Sequence, residues 1–137
     1  MIRCEVHEQN GRKVTVAKFV NNNHDDVYTI WYDSLDRRVD KLLRHAKCLT
    51  MDWDVQDKLI REILRGRKLV GVAKVAEGDT YDEVEGRKIA RKQLIKRYQQ
   101  AEAELDRQLV QRLNNDLRNI YKVLETEFEK QNFVSAE

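Results

Sequence analysis

Met1-Ile2-Arg3-Cys4-Glu5-Val6-His7-Glu8-Gln9-Asn10-Gly11-Arg12-Lys13-Val14-Thr15-Val16-Ala17-Lys18-Phe19-Val20 opens the chain and decides its class. Ile2, Cys4 and Val6 alternate with Arg3, Glu5 and His7, the period of two that a half-buried strand requires. Asn10-Gly11 then supplies the two positive-φ residues of a type I′ turn, so the stretch predicts a β-hairpin. A two-residue turn sets the register: Gln9 faces Arg12 and Cys4 faces Ala17. Ile2, Cys4 and Val6 share a face with Ala17 and Phe19, while Val14 and Val16 point the other way. A lone hairpin is marginal in water, so a third strand or a helix must cover it.

The third strand is found at Lys68-Leu69-Val70-Gly71-Val72-Ala73-Lys74-Val75, bounded by Gly66 and Gly78. Gly71 within it signals a bulge or a close approach of another backbone. Between hairpin and strand, Asn21 to Asp26 reads as a polar loop rich in capping residues. Val27, Ile30, Trp31, Leu35, Val39, Leu42, Leu43 and Ala46 follow the helical period, predicting a helix from about Asp26 to Lys47, with a strand at Val27–Tyr32 as the alternative. Asp52 caps a shorter helix with Trp53, Leu59, Ile60, Ile63 and Leu64 on its buried side, closed by Gly66 behind Arg65.

From Thr80 to about Gln131 the chain reads as helix, capped by Asp79 or Thr80, with possible breaks at Gly86 and Asn114-Asn115-Asp116. Leu94, Tyr98, Ala101, Leu105, Leu109, Leu113, Leu117, Ile120, Leu124 and Phe128 form one stripe in steps of three or four. Unbroken, such a helix runs ~75 Å. One small domain cannot cover it, so it either folds back at Asn114-Asn115 or pairs with another subunit. Asn132 to Glu137 is expected to be a loose tail. The whole reads as an α+β fold: a small antiparallel sheet with long C-terminal helices, an α+β core being expected over 1–79 and a helical region over 80–137, both in one structural unit that dimerises or assembles further.

Composition narrows the class. With 137 residues, 41% hydrophobic and 36% charged, the chain has a modest core and long solvated faces. Pro 0 and Gly 5 argue against a disordered or loop-rich chain. No run long enough to span a membrane occurs, and Met1-Ile2-Arg3-Cys4-Glu5 lacks the apolar core of a signal peptide, which predicts a cytoplasmic protein. The 26 Lys+Arg against 24 Asp+Glu leave a net charge of +2, too small for a dedicated nucleic-acid binder. Cys4 and Cys48 fall on apolar faces and read as buried thiols.

Catalytic signals are nearly absent. There is no Gly-rich phosphate loop, no nucleophile elbow and no His pair at metal spacing, so neither enzyme nor cofactor is expected. His24-Asp25-Asp26 reads as a solvated capping loop and Asp52, Asp54 and Asp57 as a helix start, rather than as metal sites. The best chemical lead is basic: Arg87, Lys88, Arg91, Lys92, Lys96 and Arg97 lie together with no acid among them. Arg61, Arg65, Arg67 and Lys68 precede the third strand and Lys74 lies on it. If that strand packs by the start of the long helix, the two groups converge near Tyr81. Arginine forks hold phosphate and an aromatic ring stacks on a base, a combination suited to a phosphorylated nucleotide. A solvated helix face balanced by Glu83, Glu85, Glu102 and Glu104 accounts for the same cations.

Gly71-Val72-Ala73-Lys74-Val75, then Asp79-Thr80-Tyr81-Asp82, then Gly86-Arg87-Lys88-Ile89-Ala90 resembles a segment of small proteins from bacteriophages of Gram-positive hosts. Those carry Gly-x-Ala-Lys-Cys, a Pro-x-Asp turn, an aromatic before an acid, and a Gly-x-x-x-Ala helix start; here Val75 replaces the Cys and the turn has no Pro. The chain is similar in element order to the anti-Thoeris sponge proteins, which sequester a cyclic ADP-ribose-type immune signal. That resemblance implies a dimeric, non-catalytic binder acting in the infected host cell, with Tyr81 on the base and Arg87 and Arg91 on the phosphates. Lys88, Lys74 and Arg65 complete the expected ligand site. The alternatives are a phage inhibitor of a host protein such as a CRISPR nuclease, and a DNA-binding accessory protein using Arg87 to Arg97.

Overall fold

A computed structural model describes residues 1–22, 26–46, 51–75 and 78–136. The expectations for Asn23, His24 and Asp25, for Lys47 and Cys48, and for Glu77 lie outside those residues. The elements run β1 (Ile2–Gln9), β2 (Arg12–Phe19), α1 (Val27–Ala46), α2 (Trp53–Leu64), β3 (Gly71–Lys74) and α3 (Glu83–Ala136). The fold is α+β, as expected. The strands form one antiparallel sheet in the order β1-β2-β3. Two compact units divide the chain, Met1–Leu105 and Asp106–Glu137.

Asn10 and Gly11 take φ of 54° and 76°, the I′ geometry that only small or amide side chains accept cheaply. Gln9 pairs with Arg12 and Cys4 with Ala17, the register read from the turn. β3 then joins β2, with Ala17 opposite Gly71 and Thr15 opposite Ala73. Ala17, Thr15 and Ala73 are buried on one sheet face, and Val14 is buried on the other. Cys4 is a free thiol and only half-buried.

Gly71 makes the close approach that its place in a strand signals. A Cβ there would stand 1.9 Å from the Ala90 carbonyl oxygen and 2.8 Å from the Leu94 nitrogen. Both are backbone atoms that cannot yield. Side chains of α3 tie the strand down: Gln93 Oε1 accepts the Val72 N–H at 2.5 Å, and the Arg97 guanidinium donates to the Val70 carbonyl. α1 lies alongside, Ser34 bonded to the Tyr98 hydroxyl and Arg38 to Glu102 at 3.1 Å. Both numbers rise together, so α1 and this stretch of α3 run parallel. Trp31, Leu35, Val39, Ile60, Leu94 and Leu105 are the large side chains closed from solvent between these elements.

Helix ends depart from the sequence reading in instructive ways. The Val27–Tyr32 alternative is overturned: that segment is helix. Asp26 caps it, its carboxylate accepting the Tyr28 N–H at 3.1 Å and the Thr29 hydroxyl at 2.7 Å. α3 is capped not by Asp79 or Thr80 but by Asp82, which accepts the Val84 and Glu85 N–H groups at 3.0 and 3.2 Å. Trp53 is 71% exposed, against its expected burial. Helical side chains lie back over the preceding turn, and a first residue has none. α3 does not break at Gly86, at Asn114-Asn115-Asp116 or at Asn132, and runs to Ala136. After Gly86 no Gly or Pro interrupts its backbone ladder.

The apolar stripe divides in character. Leu94, Ala101, Leu105 and Leu109 are buried, whereas Leu117, Ile120, Leu124 and Phe128 are more than half exposed. Leu105 therefore belongs to the core of the Met1–Leu105 unit and is not available as an interface residue.

Two stability outcomes follow. Gly71→Ala is expected to cost about 3 kcal/mol or more, because backbone must move. Gly11→Ala, with open space but a positive φ, costs about 1 kcal/mol; urea denaturation reads both. Between α1 and α2, Tyr32 donates to Asp57 and Arg61 Nε contacts both Asp57 oxygens at 3.0 Å. These contacts, Tyr32 first, hold the Asp57 carboxyl below its ordinary value of 3.8, while burial pushes the Tyr32 hydroxyl up. A depressed carboxyl stabilises the fold above its unfolded pKa and ceases to as pH falls through the folded one. Tyr32→Phe should thus raise the Asp57 pKa by carboxyl NMR, and the wild-type stability advantage over it should shrink below pH 3.8.

Candidate functional site

α3 has two working faces in its first four turns. Ala90, Gln93, Leu94 and Arg97 face the sheet, where they hold β3. Arg87, Lys88, Arg91 and Lys92 recur at helical spacing on the exposed side. With Val84 and Ile95 they border an open depression of about 440 Å³. Among the described residues, no carboxylate lines it. Arg87 is partly engaged, its guanidinium donating to Glu83 one turn earlier at 2.5 Å. Arg97, part of the basic run in sequence, is spent on the Val70 carbonyl.

Tyr81 stands elsewhere. It precedes α3, its hydroxyl 3.2 Å from Thr15 Oγ1 and its ring 5.2 Å from the Lys13 ammonium. Thr15 is fully buried, so this contact satisfies a polar group inside the fold. Tyr81 shares a second depression, about 220 Å³, with Lys74, Asp79, Asp82, Glu85 and Ile89. Among the described residues that line it, three carboxylates outnumber the Lys74 ammonium, and the Lys13 ammonium over the Tyr81 ring does not reverse that balance, so the wall disfavours phosphate. Asp82 moreover serves as the cap of α3.

Arg65 is the exposed C-cap of α2 and borders neither depression. Its neighbour Arg67 donates to the Ile63 carbonyl at 2.6 Å. The structure thus brings Arg87, Lys88 and Arg91 together, and Lys74 with Tyr81, but gives the two sets separate walls. The apolar rims, Val84 and Ile95, are not singled out by sequence reading. Their signal is exposure, at 76% and 43%, at positions that bracket the cations.

Among the described residues, no group of three or more His, Cys, Asp or Glu side chains is placed to hold a metal ion. Among them, too, no helix is long and apolar enough to cross a membrane. Comparison of the chain with protein-family models, with curated proteins and with solved structures finds no match.

Tyr81→Phe is expected to destabilise the fold by about 1 kcal/mol through the hydroxyl lost to Thr15. The same variant should leave binding of inorganic pyrophosphate unchanged by calorimetry, because its ring borders the acidic depression.

Proposed function

We propose that the chain is a non-catalytic binding protein that holds a phosphorylated ligand on the exposed basic face of α3. The observation that carries this reading is the depression bordered by Arg87, Lys88, Arg91 and Lys92 and, among the described residues, by no carboxylate. Arg91 and Arg87 offer planar forks for phosphate oxygens and the lysines add charge. Val84 and Ile95 give a base or ribose an apolar edge to rest on, the part that Tyr81 has in the resemblance to the phage proteins. On that resemblance the ligand is a cyclic nucleotide immune signal, and the activity is its stoichiometric sequestration in the infected cell. Sequence-specific DNA binding is a poorer fit, since a net charge of +2 releases few counterions.

Calorimetry against cyclic ADP-ribose isomers and cyclic di- and trinucleotides tests the reading. Arg91→Ala should weaken binding about ten- to a hundredfold, the loss of one charged hydrogen bond, with little change in melting temperature. No heat from any of these ligands would overturn it, and specific capture of a host protein would favour the inhibitor alternative.

The Asp106–Glu137 unit supports assembly with a second copy of the chain. Val110, Leu117, Ile120, Leu124 and Phe128 are each more than half exposed, and Val110, Leu113, Leu117, Ile120 and Leu124 alternate steps of three and four. That alternation is the seam two helices need to interlock. Leu117→Lys with Leu124→Lys should convert a dimer to a monomer by light scattering while circular dichroism of the Met1–Leu105 elements persists. A monomeric wild type at micromolar concentration is the contrary result.

A further inference from the structure

The sheet has two outer strands, β1 and β3, and their free edges differ. Along an antiparallel strand the backbone groups alternate between its two sides. Gln9 and Arg12 flank the two-residue turn as a hydrogen-bonded pair, and the Val20 N–H donates to the Met1 carbonyl at 3.0 Å. Arg3, Glu5 and His7 have the same parity and spend their N–H and C=O groups on β2. Ile2, Cys4, Val6 and Glu8 therefore turn theirs outward, and among the described residues no group receives them.

β3 is closed where β1 is open. It has four residues against eight in β1. Side chains of α3 take its outward groups, Gln93 accepting the Val72 N–H and Arg97 donating to the Val70 carbonyl just before the strand. β1 has none of the devices that blunt a free edge. The chain has Pro 0, and no bulge interrupts the pairing of Ile2–Gln9 with β2. Its apolar face is also incompletely covered: Val6 is 41% exposed, and Ile2 and Cys4 are only half-buried. Backbone groups and apolar side chains are thus left unmet along one edge of the Met1–Leu105 unit.

We propose that β1 pairs antiparallel with β1 of a second copy, about a two-fold axis at Cys4, so that two sheets join edge to edge. In that register Ile2 of one copy faces Val6 of the other and Cys4 faces Cys4, apolar against apolar on one sheet face. On the opposite face Arg3 meets Glu5, twice by symmetry. These are the non-hydrogen-bonded pairs, in which side chains come closest. Arg3 has no ion pair among the described residues. Glu5 already holds Lys18 at 3.2 Å, and a carboxylate can accept further bonds. Neighbouring registers fit worse: the next sets Glu5 against Glu5 and Ile2 against Glu8, and the one beyond sets Cys4 against Glu8. A ladder confined to Ile2–Val6 buries less than a standard interface. It is therefore weaker than the pairing proposed for the Asp106–Glu137 unit, fills at higher protein concentration and does not depend on that pairing.

The full chain carrying Leu117→Lys and Leu124→Lys isolates this contact. By sedimentation equilibrium it should be monomeric at micromolar concentration and dimerise with a dissociation constant on the order of 100 µM. Arg3→Glu or Glu5→Lys, added singly, should abolish that dimer, because like charges then meet across the axis. An equimolar mixture of the two should pair again, since one chain presents only acids at these positions and the other only bases. Cys4 gives a second readout. The chain has Cys 2, so Cys48→Ser leaves it as the sole thiol. Cα atoms of a hydrogen-bonded pair stand about 5.5 Å apart, a span that a disulfide bridges. Copper-phenanthroline oxidation should then yield a covalent dimer, and Arg3→Glu should suppress it. If Glu5→Lys does not fold beside Lys18, the cross-link decides. A chain still monomeric at about 1 mM overturns the proposal and leaves the edge to a strand of another protein. So does a mixture no more associated than its separate components.

Discussion

The contact between Gly71 of β3 and Ala90 of α3 sets the rest of the Met1–Leu105 unit. Strand backbone lies so close to helix backbone that one added carbon would stand 1.9 Å from the Ala90 oxygen. Such proximity fixes the rotation of α3 as well as its distance. With Ala90 against the strand, Leu94, Ala101 and Leu105 follow at helical spacing into the core. Gln93 and Arg97, to either side of Leu94, meet the Val72 N–H and the Val70 carbonyl. Arg87, Lys88, Arg91 and Lys92 are left on the side facing water. The basic surface is therefore a geometric consequence of packing at Gly71: a helix turned so that Arg91 took the place of Ala90 would bury a cation.

The same rotation brings Tyr98 to α1. Its hydroxyl meets Ser34 and its ring meets Trp31 and Phe19, so the sheet, α1 and α3 join at one aromatic cluster. Large rings of fixed shape seldom fill a corner between three elements completely, and the space beside Trp31 reflects that. Packing at the other end is tighter, where Ala17, Ala73, Ala90 and Gly71 let backbones approach. Small residues thus define the position of α3, and large residues define what lies beside it.

What the sequence makes legible follows the range of the interactions involved. The hairpin depends on two adjacent residues, Asn10 and Gly11, and its register is readable to the residue pair. The buried stripes of α1 and α3 depend on a local period and are readable too, as is the close approach at Gly71. Helix caps are harder, because Asp79, Thr80 and Asp82 all qualify chemically and only the path of the preceding chain selects Asp82. Hardest is the surroundings of a side chain outside regular structure. Tyr81 reads as a partner of Arg87 and Arg91 by nearness in sequence, yet Thr15 and Lys13 on β2, more than sixty residues away, receive it. Periodicity likewise shows that Leu117 and Leu124 belong on an apolar face without showing what covers that face.

Charge and apolar surface are carried by different stretches of α3, and this bears on how tightly an anion can be held. Four cations on an open helix face remain hydrated, and exposed charge pairs of that kind each contribute little in water. Strong retention of a phosphate needs charge-assisted hydrogen bonds from which water is excluded. Within one copy, the depression bordered by Arg87, Lys88, Arg91 and Lys92 is open, with only Val84 and Ile95 to displace water. A protein acting by sequestration binds one ligand per site and cannot compensate for weak binding by turnover. Such an open face holds a phosphate only as well as the bonds that Arg87 and Arg91 themselves make and the water that Val84 and Ile95 displace, so affinity there rests on the arginine forks rather than on the number of charges.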